Sequence, residues 1–386
     1  MTTCTELKVP FVDLRVQYAS IKDEIREAIE HVLDSAQYVG GEWVERFEDE
    51  FRRFVGAKYA VAVGSGTAAL ELALKAAGIG PGHEVIVPAN TFFATAEAVT
   101  NVGALPVFAD VDSITYHLDI NSVQKVCTAN TRAIIPVHLY GHAMAMEELE
   151  QFAILHGITI IEDACQAHGT ERNGAKVGGS GRLTCFSFYP GKNLGAYGEA
   201  GAVTGDNPEQ IRMIRLLRDH GSAVKYQHSM VGTNARLDAI QAAVLCTKLQ
   251  YVPVWNGKRR QHASVYARAL AGSPIYPPQI PAGAEHNFHL FVVRSPQRDA
   301  LRQHLLQNGI STGIHYPVPL HLTKAYQDLG FPGVGTLPVS EALSREILSL
   351  PMYPELYPEQ LEHVIQNTLE FAAAAESTRT TKMCLQ

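Results

Sequence analysis

Short runs rich in β-branched and aliphatic residues follow one another between Tyr59 and Gly205: YAVAV, EVIVP, LPVFAD, AIIPV, ITIIED, LTCFSF and GAVTG. Amphipathic or alanine-rich stretches lie between several of them, and this alternation predicts an α/β fold with a mostly parallel central sheet flanked by helices. The runs are apolar at consecutive positions rather than at every second one, as strands covered on both faces require. The α/β core spans roughly Tyr59 to Gln250. Two helical patterns precede it, Ile21–Leu33 and Trp43–Val55, and are expected to pack on the core rather than fold alone. Leu237, Ile240 and Val244 fall at i, i+3 and i+7, so LDAIQAAVLCTKL reads as a helix that closes it.

The texture changes beyond this point. A charged helix near Asn256–Leu270 leads into the Pro/Gly-rich stretch GSPIYPPQIPAGAEH, which suits a connection. Strand HLFVVR, helix RDALRQHLLQNG, the loop HYPVPLH and a final helix from Pro358 then supply a smaller C-terminal α+β domain. The expected division is residues 1–255 for the N-terminal helices and large domain, and 256–386 for the small one. The tail ESTRTTKMCLQ has no periodicity and is expected to fray.

Composition narrows the classes of function. Of 386 residues, 32 are Lys or Arg and 39 are Asp or Glu, a net charge of −7 that opposes general nucleic-acid binding. Six cysteines are scattered without a C-x-x-C pair, against a zinc ribbon or a disulfide framework and in favour of a reducing cytoplasm. The N-terminal segment carries a proline and charges where a signal peptide needs an apolar stretch, and no run of 18 apolar residues occurs. Export and membrane spanning are not expected. Cys384 has two residues after it, one short of a prenylation box.

Three segments carry chemistry. The first is Gly64-Ser65-Gly66-Thr67, between strand YAVAV and the helical run TAALELALKAAG. Glycines there let N–H groups converge on a phosphate, and a helix N-terminus adds partial positive charge. Gly64, Gly66 and Ala69 also satisfy the dinucleotide pattern, but Glu84, at the spacing of its ribose-binding acid, stands where EVIVP begins rather than ends. A plain strand-to-helix turn is the remaining reading.

The second is Asp163, which the run ITIIED places at the carboxyl end of a buried strand, where ligand sites of open α/β sheets lie. A carboxylate there can hold a protonated heteroaromatic nitrogen; helix capping and metal ligation are the alternatives, and Gln166 and His168 nearby favour a site. The third is Lys192 in SFYPGKNLGAYGEAG, set among glycine, proline and aromatic residues. Desolvation there would lower its pKa and prepare it for Schiff-base chemistry, with Ser187 and Tyr189 in reach of the same ligand.

Together GSGTAAL, PANTFFAT, EDACQAHGT, SFYPGKNLGAYGEAG and GTNARLDAIQAA, in this order and spacing, resemble the DegT/DnrJ family of nucleotide-sugar aminotransferases, over nearly the whole chain from FVDLR to LPMYP. The resemblance implies the fold-type I aminotransferase architecture and a homodimer with shared active sites that binds pyridoxal 5′-phosphate. By resemblance, Lys192 is the residue that forms the Schiff base; dehydratases of the family carry histidine there. Asp163 matches the carboxylate on the pyridinium nitrogen, and Gln166 the residue near the phenolic oxygen. Phe92 is similar to the aromatic on the ring face, with core packing as its other reading. Ser65, Gly66, Thr67 and Ser187 match phosphate contacts, and Asn234 the one supplied by the neighbouring subunit. One departure is Ala200, where the family has glycine; its methyl matters only if that position needs a positive φ.

A nucleotide diphosphate would need basic or donor groups. Lys225, Arg236, His315, Tyr316 and His321 lie in segments resembling the family's substrate-facing ones, and Tyr189, Lys225, His315 and Tyr316 are the favoured contacts. Arg236 could instead form a structural ion pair and His321 cap a helix. RDHGSAVKYQHSMVGTN resembles members acting on 3-keto rather than 4-keto sugars, and L-glutamate is the donor the resemblance implies. A free keto-cyclitol substrate or sugar dehydration is the alternative within the family. A regulatory sensor would need a DNA-binding extension that is not seen, and a dehydrogenase would need the dinucleotide reading. The pairs His138/His142 and His286/His289 lack the H-E-x-x-H pattern of a metal site.

Overall fold

The computed structural model describes residues 7–331 and 333–384. All the strand runs join one sheet: β1 (Tyr59–Val63), β2 (Glu84–Pro88), β3 (Leu105–Ala109), β4 (Thr131–Ile134), β5 (Thr159–Asp163), β6 (Leu183–Ser187) and β7 (Gly201–Gly205), in spatial order β1-β7-β6-β5-β4-β2-β3. β2 is parallel to β3 and β4, β4 to β5, and β5 to β6 with Asp163 opposite Cys185. β7 is antiparallel to both β1 and β6, so it alone is reversed. The carboxyl ends of β1, β5 and β6 therefore share one edge. The fourth run begins two residues earlier than AIIPV suggests, at Thr131, and ends before Pro136, which has no N–H to give a ladder.

Alternate residues of each strand enter different helical layers. Val61, Val63, Val85 and Val87 pack with α4 (Gly66–Ala76), α5 (Ala94–Asn101) and α8 (Pro208–Leu217). On the other face, Ala60, Ala62 and Phe186 pack with α3 (Glu42–Val55) and α9 (Ala239–Leu249), and Ile86, Ile134 and Ile160 with α6 (Ile120–Val126) and α7 (Glu147–His156). The first predicted helix is α2 (Lys22–Ser35), preceded by α1 (Leu14–Ser20), whose seven residues are too few to show a period.

α10 (Val252–Leu270) runs unbroken through residues 255 and 256. Its first turn packs Val252 and Trp255 against the helices and strands of the α/β core, and its second half sends Ala263, Tyr266 and Leu270 into a separate cluster. That cluster is built on the antiparallel pair β8 (Phe291–Arg294) and β9 (Ile347–Leu350), with α11 (Arg298–Gln307) and the final helix, Pro358–Cys384. The tail expected to fray continues this helix to Cys384; its last two residues, like Cys4, lie outside the described part. Among the described residues no helix is long and apolar enough to cross a membrane.

β1 is an edge strand, and α3 and α8 supply what its open side lacks. Glu48 on α3, 8% exposed, accepts from the N–H of Ala62 at 2.9 Å and from Arg218 at 2.5 Å, and Arg218 also donates to the Ala62 carbonyl at 2.6 Å. An unpaired edge is an invitation to foreign strands. Glu48→Ala leaves the Ala62 N–H without an acceptor and Arg218 without its carboxylate partner, and it is expected to lower stability by about 2–4 kcal/mol in urea unfolding.

Candidate active site

Three pieces of chain meet at the sheet edge where β1, β5 and β6 end. After β1, Ser65 caps α4, its Oγ accepting from the Ala68 N–H at 3.0 Å. Among the described residues the N–H groups of Gly66 and Thr67 make no hydrogen bond, so the helix start offers donors to an anion. A Cβ on Gly66 would lie 2.6 Å from the Ser187 Cβ and 3.0 Å from Cys165 Sγ. Only glycine lets the end of β6 come so close that the Ser187 hydroxyl stands beside this helix start.

Asp163, the last residue of β5, is 5% exposed. Its Oδ2 accepts from Thr95 Oγ1 at 2.8 Å, and its Oδ1 from the Cys165 N–H at 3.1 Å. Thr95 is itself bonded to Thr91 at 3.0 Å. Two donors leave capacity on the carboxylate for one more, since ionised Asp accepts at about four lone-pair sites.

Lys192 follows β6 on a tight loop, its N–H bonded to the Tyr189 carbonyl at 2.8 Å and the loop closed by Ala196 N–H to the Phe188 carbonyl at 2.8 Å. The side chain is half-buried, and the protein packed around its amine lowers its pKa, against the opposing pull of Cys165 and Asp163. Its charge acts on three histidines: burial first, then Lys192, pushes His168 down to about 3 and His315 to about 4, and lowers His289 as well. All three are neutral at pH 7. Ala200 has no positive φ and is fully buried, so the methyl that departs from the family pattern is accommodated.

Gln166 joins this edge to the C-terminal part. Its Oε1 accepts from the Tyr140 N–H at 2.6 Å, and its Nε2 donates to the Tyr316 hydroxyl at 3.1 Å. The Tyr140 hydroxyl donates to the His315 carbonyl, and His315 Nδ1 lies 2.8 Å from Ser349 Oγ. Burial raises the Tyr316 pKa, so it stays a neutral phenol. The Phe92 ring is 56% exposed with its centroid 5.8 Å from that of Tyr316, which favours a surface for a ligand over core packing. Tyr189 is likewise more than half exposed.

The remaining candidates stand apart. Lys225 is exposed on the hairpin of Ser222–Val224 and Gln227–His228, with its amine 5.2 Å from the Tyr226 ring centre. Asn234 is exposed one residue before Ala235, whose carbonyl accepts from the Gly64 N–H. Among the described residues, no hydrogen bond or ion pair links either side chain to Asp163, Gln166 or Lys192. Arg236 pairs with Asp219, and His321 is buried 3.3 Å from Glu341. Glu84, at the dinucleotide spacing, opens β2 and accepts from Thr128 and Thr131.

Residues that motif reading did not single out complete the edge. Thr95 lies inside PANTFFAT, four residues after Thr91, and only the fold brings it to Asp163. Behind Lys192, Asn193 Nδ2 donates to Asn256 Oδ1 at 2.9 Å and to the Asn287 carbonyl at 3.1 Å. Asn256 donates to the His168 carbonyl at 2.8 Å, and Asn287 to the Gln166 carbonyl at 3.0 Å.

A helix start with open donors, a carboxylate with spare capacity and a depressed-pKa lysine are what the phosphate, ring nitrogen and aldehyde of pyridoxal phosphate need, so the residues present fit the group. Residues 19–369 match the DegT/DnrJ/EryC1/StrS aminotransferase family. The chain is 45% identical to the dTDP-3-amino-3,4,6-trideoxy-alpha-D-glucose transaminase of Streptomyces venezuelae, covering 95% of this chain and 96% of the relative. It is 43% identical to the UDP-N-acetyl-3-dehydro-alpha-D-glucosamine 3-aminotransferase of Acidithiobacillus ferrooxidans, over 94% and 98%. The crystal structure of S. venezuelae DesV in complex with a ketimine intermediate superposes with a TM-score of 0.93 at 45% identity, over 95% of this chain and 98% of that one. The chain thus belongs to the DegT/DnrJ/EryC1/StrS family of pyridoxal-phosphate-dependent sugar aminotransferases, with the fold that sequence motifs had led us to expect.

Proposed function

We propose that this aminotransferase converts a nucleotide-linked 3-keto deoxysugar to the amino sugar, with L-glutamate as donor. The observation that carries the assignment is the convergence of Lys192, Asp163 and the α4 N-terminus on one sheet edge. The preference for C3 is supported by the two relatives above, whose names both place the amine there.

When bound, pyridoxal phosphate supplies an aldehyde that captures amines and a ring that stabilises a carbanion. The N–H groups of Gly66 and Thr67, with Ser65 and Ser187, would hold the phosphate, and Asp163 would keep the ring nitrogen protonated. Gln166 would contact the phenolic oxygen, and the exposed Phe92 ring would offer the cofactor an aromatic surface. Lys192 Nζ would hold the aldehyde of the cofactor and, as a free amine, would accept the proton from the donor's α-carbon. Its lowered pKa keeps more of the amine in the basic form that this step needs. Tyr189, His315 and Tyr316 flank the space in front of Lys192 and are assigned to the substrate.

Lys225 and Asn234 are exposed, and in our reading they serve the partner's site in a homodimer. The exposure of the hairpin and the loop after it supports this: Tyr226 is 82% and Val231 95% exposed. We assign residues 1–255 to the cofactor-binding part and 256–386 to the smaller one, and the cytoplasm as the compartment.

Three outcomes test the reading. Addition of L-glutamate should bleach the visible band of the cofactor-loaded protein, and Lys192→Ala should cut this half-reaction about a thousandfold, within the range for losing a general base; undiminished turnover would remove Lys192 from its role. Thr95→Val deprives the Asp163 carboxylate of a charge-assisted hydrogen bond, typically about 1.5–3 kcal/mol, and should slow the half-reaction about tenfold or more in stopped-flow absorbance. With the pyridoxamine form, a nucleotide-linked 3-ketone should restore the band faster than its 4-keto isomer or a free keto-cyclitol. Preference for the cyclitol would replace the substrate class while leaving the first half-reaction standing.

A further inference from the structure

Lys248 is a buried cation that the chemistry above does not use. It lies on α9 at 1% exposure, and its Nζ donates to the Gly195 carbonyl at 2.5 Å. The rings of Tyr197 and Trp255 stand 5.0 and 5.9 Å from it, in cation–π range. Burying an ammonium costs desolvation that an aliphatic side chain of like volume would avoid, so the charge calls for more than core filling. That cost is visible as a pKa lowered to about 8, with Glu355 acting the other way.

What Lys248 holds is the loop that carries Lys192. Gly195 is pressed against the Pro190 and Tyr189 carbonyls: a Cβ there would stand 2.9 Å from the Tyr189 oxygen and closer still to that of Pro190. The turn from Tyr189 to Ala196 is folded back on itself and closed by the Ala196 N–H on the Phe188 carbonyl, and Lys248 adds a charged hold on the Gly195 carbonyl. Neutral anchors act on the same segment, among them Asn193 on Asn256 and on the Asn287 carbonyl, and the Tyr197 N–H on Gln241 Oε1 at 2.8 Å. Lys248 is the charged one.

We propose that Lys248 is a positioning residue for Lys192, its ammonium pinning the Gly195 carbonyl so that the loop presents the Lys192 amine toward Asp163. The inference rests on Lys192 being the cofactor-binding lysine. A shift of about 1 Å in a reacting group can cost on the order of a hundredfold, so loss of the pin is read out in the rate at which Lys192 captures the cofactor.

The test uses the full-length, cofactor-stripped protein and its Lys248→Met variant. Pyridoxal phosphate is added, the growth of the visible band is timed, and the bond is reduced with borohydride and mapped by peptide mass. Lys248→Met should slow capture at least about tenfold, raise hydrogen exchange in the 189–197 peptide and leave the affinity for inorganic phosphate within about twofold. Capture at the wild-type rate would overturn the proposal. So would a slowed capture matched by an equal loss of phosphate affinity, which marks general damage to the fold. If the wild-type protein is not labelled at Lys192, the functional reading itself fails, a result separable from the first. Should Lys248→Met not fold, Tyr197→Leu, at a partly exposed position, removes one ring from the ammonium and should slow capture in the same sense; an unchanged rate there counts against the proposal.

Discussion

A carboxylate buried at the end of a parallel strand must find donors, and the way Asp163 finds them organises this molecule. The edge at which it sits is created by parallel pairing of β4, β5 and β6, which brings chain ends from distant parts of the sequence to one line. Thr95 and the Cys165 N–H satisfy part of the carboxylate, and its charge acts on Lys192. A positive group is wanted there, whether the amine or a protonated ring. The same field that favours a cation at Asp163 is met by burial that disfavours it on Lys192, and the two together separate an acid partner from a basic one in one small volume.

The surrounding histidines show the other half of this electrostatic arrangement. His168, His289 and His315 all lie near Lys192, and burial keeps each of them neutral, so none competes with the lysine for protons near pH 7. The tyrosines respond in the opposite direction, with Tyr140 and Tyr316 held as neutral phenols. Apart from Asp163 and Lys192, this ring of groups offers dipoles and hydrogen bonds rather than charge.

Much of this was legible before any coordinates. The strands were readable because each is a run of consecutive apolar residues, a pattern that burial on both faces imposes, and Asp163, Ser187 and Lys192 could be placed at their ends by counting. Gly66 could be noticed, but the reason for it, the proximity of Ser187 and Cys165, belongs to the packing of β6 against α4. Thr95 reaches Asp163 across 68 positions and Asn287 reaches Gln166 across 121, and local pattern carries no trace of such pairings. Lys248 escaped for a related reason: a lysine near the end of a helix looks like a solvated charge until Tyr197 and Trp255 close over it. α1 was missed because a helix of two turns shows no period.

α10 gives the molecule a mechanical property that neither of its halves has alone. It is one continuous helix, with Trp255 over Lys248, Asn256 bonded to Asn193 in the Lys192 loop, and Arg259 holding the carbonyls of Phe288 and Met352. A hinge would let the C-terminal elements swing without consequence. A stiff beam instead places Asn256, which accepts from Asn193 beside Lys192, and Arg259, which holds the C-terminal carbonyls, within one turn of the same helix.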